Sequence, residues 1–304
     1  MAGPESRGVF PRLTGKLTGY LAILAGAFLF GMWATVGKIA LNGDPYLSPI
    51  TLAWFVQAVT AVAFSPFIRR IRLRGRQWGL ALLAALLGSV FAPSMYFTGL
   101  SLTTPVNAAL LSNTEALFTV VFALVFLKER LSMGGYVAAA FILAGAMIVT
   151  LDLEQAGADF ASTLLGNVLL VLAAMCWGGA NTASRIVTST HDIPSYVCVV
   201  LSMGSLLLAP IAFATGRGLS VSAGTIPIAV FLALTGSALF TYLFYFAMRR
   251  IGALQVGAIL ATSAAFGVGI AVAFGFSLTA LQALGGAVMA CGVVALYRSP
   301  FPKG

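Results

Sequence analysis

Ten apolar runs, each long enough to cross a lipid bilayer, follow one another along this chain with only short polar or Pro/Gly breaks between them. They occupy residues 18–40, 48–68, 79–101, 105–127, 133–151, 163–187, 194–214, 224–248, 253–275 and 279–297. A helix of about 20 residues spans about 30 Å, which is the thickness of the hydrocarbon core. Membrane β-strands are excluded because they are about ten residues long and alternate in polarity. The pattern therefore predicts an all-α integral membrane protein with ten transmembrane helices.

The charged residues indicate how these helices are oriented. Only 8% of the 304 residues are charged, against about 25% in a soluble protein. If the N-terminus is cytoplasmic, all but two of the 17 Lys and Arg residues fall on the cytoplasmic side, the exceptions being Lys38 and Arg217. The distribution of the basic residues therefore follows the positive-inside rule and accounts for the net charge of +9, so nucleic acid is not an expected partner. We expect a multi-pass protein of the inner (plasma) membrane with both termini in the cytoplasm.

The two halves of the chain repeat each other. Phe30-Gly31, followed at the same spacing by Lys38, matches Trp177-Gly178 followed by Arg185, and Gly145 matches Gly292. Each half has five spans, and because five is odd the second half enters the membrane from the opposite side. The predicted organisation is a cytoplasmic tail (1–17), a first repeat (18–151), an inverted second repeat (163–297) and a second tail (298–304). In transporters built this way the substrate site lies near the midplane between the repeats.

Four motifs, in this order and spacing, resemble the EamA-type ten-span permeases of the drug/metabolite transporter superfamily. They are Phe30-Gly31 with Lys38, the run from Asn107 to Leu111, Leu127-Lys-Glu-Arg-Leu131, and the run from Ala140 to Gly145. The second half departs from the pattern, with Phe276-Ser-Leu-Thr279 opposite the charged motif and Ser263 opposite Glu115. The resemblance implies efflux of amino acids, related metabolites or toxic compounds, and it fixes no substrate.

Glu115 is the only charged residue in the fourth apolar run. An ionised group near the bilayer centre costs at least about 2.5–3.5 kcal/mol, so it is expected to face protein or a water-filled cavity. On a continuous helix, Asn107, Ser112 and Thr119 share its face. We predict that Glu115 binds a proton and the substrate alternately. The alternative is a structural group paired with a hydroxyl, with Lys38 or with Arg185.

Other polar and aromatic residues within the spans are candidates for the same cavity. Trp177, Asn181 and Arg185 follow one another at four-residue steps and therefore share a helix face. Lys38 and Arg185 occupy matching places near opposite membrane surfaces, where they either bind an anionic substrate in turn or extend to the lipid head groups. The remaining candidates are Gln57, Tyr96, Ser112, Asn113, Tyr245 and Ser263.

No pattern typical of catalysis or cofactor binding accompanies these residues. The chain has one histidine, His191, and no phosphate-binding loop, nucleophile set or metal-ligand cluster. We therefore expect a secondary transporter that works by alternating access, with a small-molecule substrate, the lipid bilayer as its surroundings, protons as a candidate coupling ion and no cofactor. The sequence does not choose between a monomer and a homodimer. It also leaves open an organic-anion or nucleotide-sugar exchanger, an uncoupled facilitator and a membrane protein without a transport role.

Overall fold

The computed structural model describes residues 9–67, 73–126, 132–151, 159–188, 192–215 and 219–298. The charged motif at Lys128-Glu129-Arg130, His191, Arg217 and most of the basic run after the second span lie outside these ranges. Ten helical units follow one another, and we number them in chain order. They are α1 (Val9–Gly43), α2 (Pro49–Phe64), α3 (Arg76–Leu102), α4 (Pro105–Leu111 with Thr114–Phe126), α5 (Met133–Thr150), α6 (Phe160–Thr188), α7 (Ile193–Ala214), α8 (Ile226–Ile251), α9 (Ala253–Leu260 with Ser263–Ala273) and α10 (Ala280–Arg298).

The ten predicted spans correspond to these ten units, which confirms the all-α class. Within the described ranges, nine units are long and apolar enough to cross a membrane. The tenth, α2, has 16 residues and continues into a 3₁₀ turn, Ser65–Phe67. Ser48 begins α2 by accepting a hydrogen bond from the Thr51 N–H at 3.0 Å, and Pro49 follows at the first helical position, where proline fits best.

The two repeats interdigitate. The first helix of each repeat, α1 or α6, packs against the third and fourth helices of the other repeat, so that α1 contacts α8 and α9 while α6 contacts α3 and α4. The second helices pack together as α2 and α7, and the fifth as α5 and α10. The interface between the repeats therefore runs through the middle of the molecule, where an inverted repeat places its substrate site.

Small residues allow α5 and α10 to approach closely. A Cβ atom added at Gly145 would lie 2.5 Å from the Gly285 carbonyl oxygen, and one added at Gly292 would lie 2.8 Å from the Ile142 nitrogen. Such backbone contact excludes any side chain, as at other small-residue crossings of membrane helices. The repeat match between Gly145 and Gly292, seen in the sequence, thus reflects one symmetric crossing.

Both fourth helices are interrupted, which the continuous apolar runs did not predict. In α4 the break falls at Ser112–Asn113, where the Asn113 N–H bonds the Leu110 carbonyl at 3.1 Å instead of a carbonyl four residues back. In α9 it falls one residue from the matching position, at Ala261–Thr262, where the Thr262 N–H bonds the Ile259 carbonyl at 2.9 Å. Hydroxyl groups bond carbonyls beside each break, a pattern that bends helices.

The third helices are also matched. Residues Leu86–Phe91 of α3 and Leu232–Leu239 of α8 form π-helical segments. Such segments occur often at functional sites because they realign the backbone groups of a helix. Each repeat thus carries one widened turn and one broken helix at the level of the interface.

Candidate functional site

Glu115 lies in the first turn after the break in α4, where a helix N-terminus favours negative charge. Its Oε1 atom accepts a hydrogen bond of 2.7 Å from Asn181 Nδ2 on α6. Glu115 is partly buried and Asn181 is exposed. The hydrogen-bond partner that the structure describes is therefore an amide from the other repeat, whereas the sequence suggested a hydroxyl, Lys38 or Arg185 as a structural partner.

The close approach of α6 to α4 makes this pair possible. A Cβ atom added at Gly178 would lie 2.7 Å from the Thr119 nitrogen, so the two backbones touch one turn away from the pair. Asn181 follows Gly178 by three residues and reaches Glu115 across the same crossing. The Glu115–Asn181 hydrogen bond therefore depends on the distance between the two repeats.

An aromatic layer lies beside the pair. Trp177, one helical turn before Asn181, donates its indole N–H to the Gly88 carbonyl in the π-helical segment of α3 at 3.2 Å. Its ring centroid is 5.4 Å from that of Tyr96 and 5.9 Å from that of Trp33. Tyr96 and Trp33 stack at 4.9 Å with 17° between their planes. The sequence predicted Tyr96 and Trp177 for the cavity but did not single out Trp33.

A small cavity opens on the other side of Tyr96. Its volume is about 10 Å³, room for about one water molecule and far below the roughly 300–1,000 Å³ of a typical ligand pocket. Ser112 at the break in α4 and Ser263 just after the break in α9, both candidates from the sequence, line it together. The complete lining is Phe30, Gly31, Ala34, Tyr96, Ala109, Ser112 and Ser263. A larger ligand enters only if the helices around the breaks move apart.

Several of the other candidates lie away from this centre. Lys38 donates to the carbonyl oxygens of Leu100 and Ser101, at 2.8 and 2.9 Å, and so caps the end of α3. Arg185 is exposed in the last turn of α6, towards the opposite end of the bundle. Tyr245 contacts its neighbour Phe244, with ring centroids 5.4 Å apart, and no ring contact within the described part of the chain joins it to the Trp33–Tyr96–Trp177 layer.

Two further candidates are buried without a clear ligand geometry. Gln57 on α2 is 6% exposed, and its Oε1 has no hydrogen-bond partner among the described residues. Helix α2 packs against the π-helical segment of α8, so Gln57 lies near the interface between the repeats. Asn113 is buried within the break of α4.

Asn107, which was predicted on the Glu115 face, belongs to a separate buried network that also reaches α6. Its Oδ1 accepts a 2.8 Å hydrogen bond from Gln282 Nε2, and its Nδ2 donates at 3.0 Å to both Asn167 Oδ1 and Thr103 Oγ1. The network joins α4 and α10 across the repeats at the end of the bundle that carries Asp44. Sequence alone could not reveal it, because Asn167 and Gln282 are brought in by other helices.

We expect Asn107→Leu to lower the unfolding midpoint in detergent, because it removes the Asn107 acceptor of Gln282 Nε2 and the Asn107 donor to Asn167 Oδ1 and so leaves hydrogen bonds of a buried network unsatisfied. The cost of such unsatisfied groups is about 1–3 kcal/mol. Asn42→Leu, at an exposed position of α1, is the matched control and should change the midpoint little. An Asn107→Leu protein that melts with the wild type would show that the network adds nothing to stability.

Asp44 forms a second connection between the repeats at the same end. Its carboxylate accepts hydrogen bonds from the backbone N–H groups of Ser222, at 2.7 Å, and Tyr46, at 3.0 Å. The bond from Ser222, which precedes α8, is the main reason that the pKa of the Asp44 carboxyl lies below its ordinary value. The carboxylate is therefore stabilised in its charged form by the folded loops.

This lowered pKa predicts the pH range in which Asp44 contributes to stability. The contribution is complete above the unfolded-state pKa of about 3.9 and is lost as the pH falls through the lower folded-state value. Asp44→Asn should therefore lower the unfolding midpoint by the same amount from pH 7 down to about pH 5, and the difference should shrink only below about pH 4. Asp159→Asn, which removes an exposed carboxylate, is the control. A difference that is already lost near pH 6 would contradict this assignment.

Comparisons with known proteins agree with this architecture. The sequence profile described as the EamA-like transporter family matches residues 17–151 and 164–298, one match to each repeat. An uncharacterized transporter of Methanothermobacter thermautotrophicus is 28% identical over 98% of this chain and 90% of its own length. The uncharacterized transporter YyaM of Bacillus subtilis is 23% identical over 79% of this chain and 78% of its own.

The fold also matches a solved structure described only as the crystal structure of a protein. The TM-score is 0.64 at 17% identity, covering 93% of this chain and 95% of the other, which shows a shared fold alone. With the family profile covering both repeats, the resemblance seen in the sequence is confirmed. This chain belongs to the EamA-like transporter family, whose members are membrane transporters of the drug/metabolite superfamily.

Proposed function

We propose that this transporter exports a small metabolite, an amino acid or a related toxic compound, and that protons drive the export. The observation that carries the proposal is the Glu115–Asn181 hydrogen bond, because it joins a membrane-embedded carboxylate of one repeat to an amide of the other. Rocking of the repeats changes this distance, so proton binding at Glu115 and movement of the repeats are linked. The neighbouring aromatic layer and cavity give a substrate its contact surface.

The two ends of the bundle differ in a way that supports alternating access. At the Asp44 end, the Asn107 network and the Asp44–Ser222 bond connect the repeats through buried groups. At the other end, the described hydrogen bonds between side chains of the two repeats are exposed, such as Tyr20 Oη to Gln255 Oε1 at 2.8 Å, and the buried contacts are apolar ones, such as Leu117 with Val293. We assign the Asp44 end to the outside, so that this conformation is closed outwards and must break both buried connections to release substrate.

The proposed location is the inner membrane, with both termini in the cytoplasm. A reporter that works only in the cytoplasm should therefore be active when it is fused after Gly304. A reporter that works only outside the membrane should be active when it is inserted near Gly157. The two reporters serve as controls for each other because they test opposite sides. Finding both on one side would contradict the inverted arrangement of the repeats.

Flux into proteoliposomes tests the proposal directly. The purified protein would be screened against amino acids and related metabolites, with a pH gradient imposed in the absence of a substrate gradient. We expect one substrate group to accumulate against its gradient and to leak back when a protonophore is added. Flux that follows only the substrate gradient would identify an uncoupled facilitator. No flux for any compound, with the protein folded, would favour a role other than transport.

The anion-exchanger alternative finds less support. It needs Lys38 and Arg185 as ligands, and the ammonium group of Lys38 is bound to two backbone carbonyls at the end of α3.

A monomer satisfies every contact described above, and a homodimer is compatible with the same contacts.

A further inference from the structure

Two buried side chains of the first repeat, Trp33 and Gln57, each have a polar atom without a partner. Among the described residues, the buried side-chain atoms that form no hydrogen bond are Trp33 Nε1, Thr35 Oγ1 and Gln57 Oε1. Thr35 follows Trp33 by two residues and therefore lies on a different side of α1. Buried polar groups are nearly always paired, so the unpaired donor on α1 and the unpaired acceptor on α2 need an explanation.

The second repeat shows what the matching positions contact. A Cβ atom added at Gly88 would lie 2.9 Å from Ala180 Cβ, and one added at Gly204 would overlap Ser89 Cβ. Gly88 and Ser89 are neighbours in the π-helical segment of α3. The first and second helices of the second repeat, α6 and α7, therefore pack small residues against one place on that segment.

Trp33 and Gln57 occupy the same positions in the first repeat, against the π-helical segment of α8. The matching residues, at the repeat spacings of Gly31 with Gly178 and Glu115 with Ser263, are Trp33 with Ala180, Gln57 with Gly204, and Gly236 with Gly88. A Cβ atom added at Gly236 would lie 2.6 Å from Trp33 Cδ1 and 3.4 Å from Trp33 Nε1. Thr60, one turn after Gln57, donates its hydroxyl to the Ala233 carbonyl at 3.4 Å. The two unpaired side chains thus border one part of α8.

The two atoms indicate what kind of group they bind. An indole N–H is only a donor and needs an acceptor, whereas the Gln57 carbonyl oxygen is only an acceptor and needs an N–H or O–H group. The side chains described at this place are uncharged, so an ionised group would lose its hydration there without an opposite charge. A carboxamide supplies an acceptor and a donor on neighbouring atoms and carries no charge. The stacked rings of Trp33 and Tyr96, 4.9 Å apart, supply apolar surface beside the donor.

We propose that Trp33 and Gln57 bind a carboxamide group of the transported substrate, which accepts a hydrogen bond from Trp33 Nε1 and donates one to Gln57 Oε1. The inference rests on the proposed function in that the ligand is a transported compound. The two side chains are 5% and 6% exposed, so the substrate reaches them only when α8 moves away from α1 and α2. Binding then satisfies two groups that have no partner in the closed conformation, and this gain favours the conformation that holds substrate.

The first test needs no ligand. Gln57→Met keeps the length of the side chain and removes the unpaired oxygen, so the unfolding midpoint of the purified protein should rise by about 2 °C or more. Gln282→Met is the matched control, because the buried Gln282 Nε2 donates to Asn107 Oδ1 at 2.8 Å and its midpoint should fall when that bond is lost. A Gln57→Met protein that unfolds at or below the wild-type temperature would overturn the site.

Three related probes test the chemistry by calorimetry with the full-length protein. Benzamide offers an acceptor and a donor, methyl benzoate offers only acceptors, and benzoate is charged. The wild type should bind benzamide at least about tenfold more tightly than either of the others. Gln57→Met should bring benzamide to the level of methyl benzoate and leave methyl benzoate unchanged. Trp33→Phe should weaken both neutral compounds by a similar factor, which keeps the test valid if Gln57→Met does not fold.

The outcomes separate the site from the proposed function. A wild-type protein that binds benzamide no better than methyl benzoate would overturn the site, and proton-driven flux of another substrate would then still stand. A preference for benzamide that Gln57→Met abolishes, in a protein without proton-driven flux, would keep the site and remove the coupling.

Discussion

Glu115→Gln is expected to abolish proton-driven accumulation of substrate while exchange down the substrate's own gradient remains measurable. Gln keeps the shape of Glu and an oxygen that accepts the bond from Asn181 Nδ2, seen at 2.7 Å in the wild type. It cannot ionise, so the transport cycle no longer needs a proton at this position. The measurement is uptake into proteoliposomes over a range of imposed pH differences, with exchange measured in the same preparation.

The control variant is Asp159→Asn, which removes an exposed carboxylate just before α6 and should transport as the wild type does. If Glu115 has only a structural role, Gln replaces it with little change in coupling, and only Glu115→Ala is damaging, through the unsatisfied amide of Asn181. A Glu115→Gln protein that still concentrates substrate under a pH difference would remove Glu115 from the mechanism.

The ten helices were predictable because apolar length is a local property of the chain. Glu115 was predictable for the same reason, since a single charge in an apolar run is visible without any knowledge of its neighbours. The repeat could be expected from matched residues such as Gly31 and Gly178, and its inversion from the odd number of spans in each half. Each of these signals needs only the order of residues along the chain.

The partners of the site residues were not predictable, because they come from the other repeat. Asn181 was a candidate, but its bond to Glu115 depends on the backbone contact at Gly178. Neither break contains Gly or Pro, so Ser112–Asn113 and Ala261–Thr262 gave no local signal of an interruption. Lys38 was visible as a cation, but its role at the end of α3 depends on how α1 packs.

Gly178→Ala is expected to reduce transport about tenfold or more and to lower the yield of folded protein. Its new methyl group would lie 2.7 Å from the Thr119 nitrogen and 2.8 Å from Phe118 Cβ, contacts that the two helices can relieve only by moving apart. Overpacking of this kind costs about 1–3 kcal/mol. The displacement also pulls Asn181 away from Glu115, so the variant should lose coupling even in the fraction that folds.

Gly269→Ala is the matched control, because Gly269 lies in α9 with no atom within 4 Å of an added Cβ and should tolerate the methyl group. Gly31→Ala at the equivalent crossing should be as harmful as Gly178→Ala for folding, since its Cβ would lie 2.5 Å from the Ser263 carbonyl oxygen. The two variants should differ in coupling: only the Gly178 crossing carries the carboxylate, whereas the Gly31 crossing carries the cavity. If both variants lose folded protein equally but only Gly178→Ala changes the pH dependence of the residual flux, then both crossings have a packing role. Only the Gly178 crossing then takes part in proton binding. Wild-type transport in Gly178→Ala would show that the repeats do not need this contact.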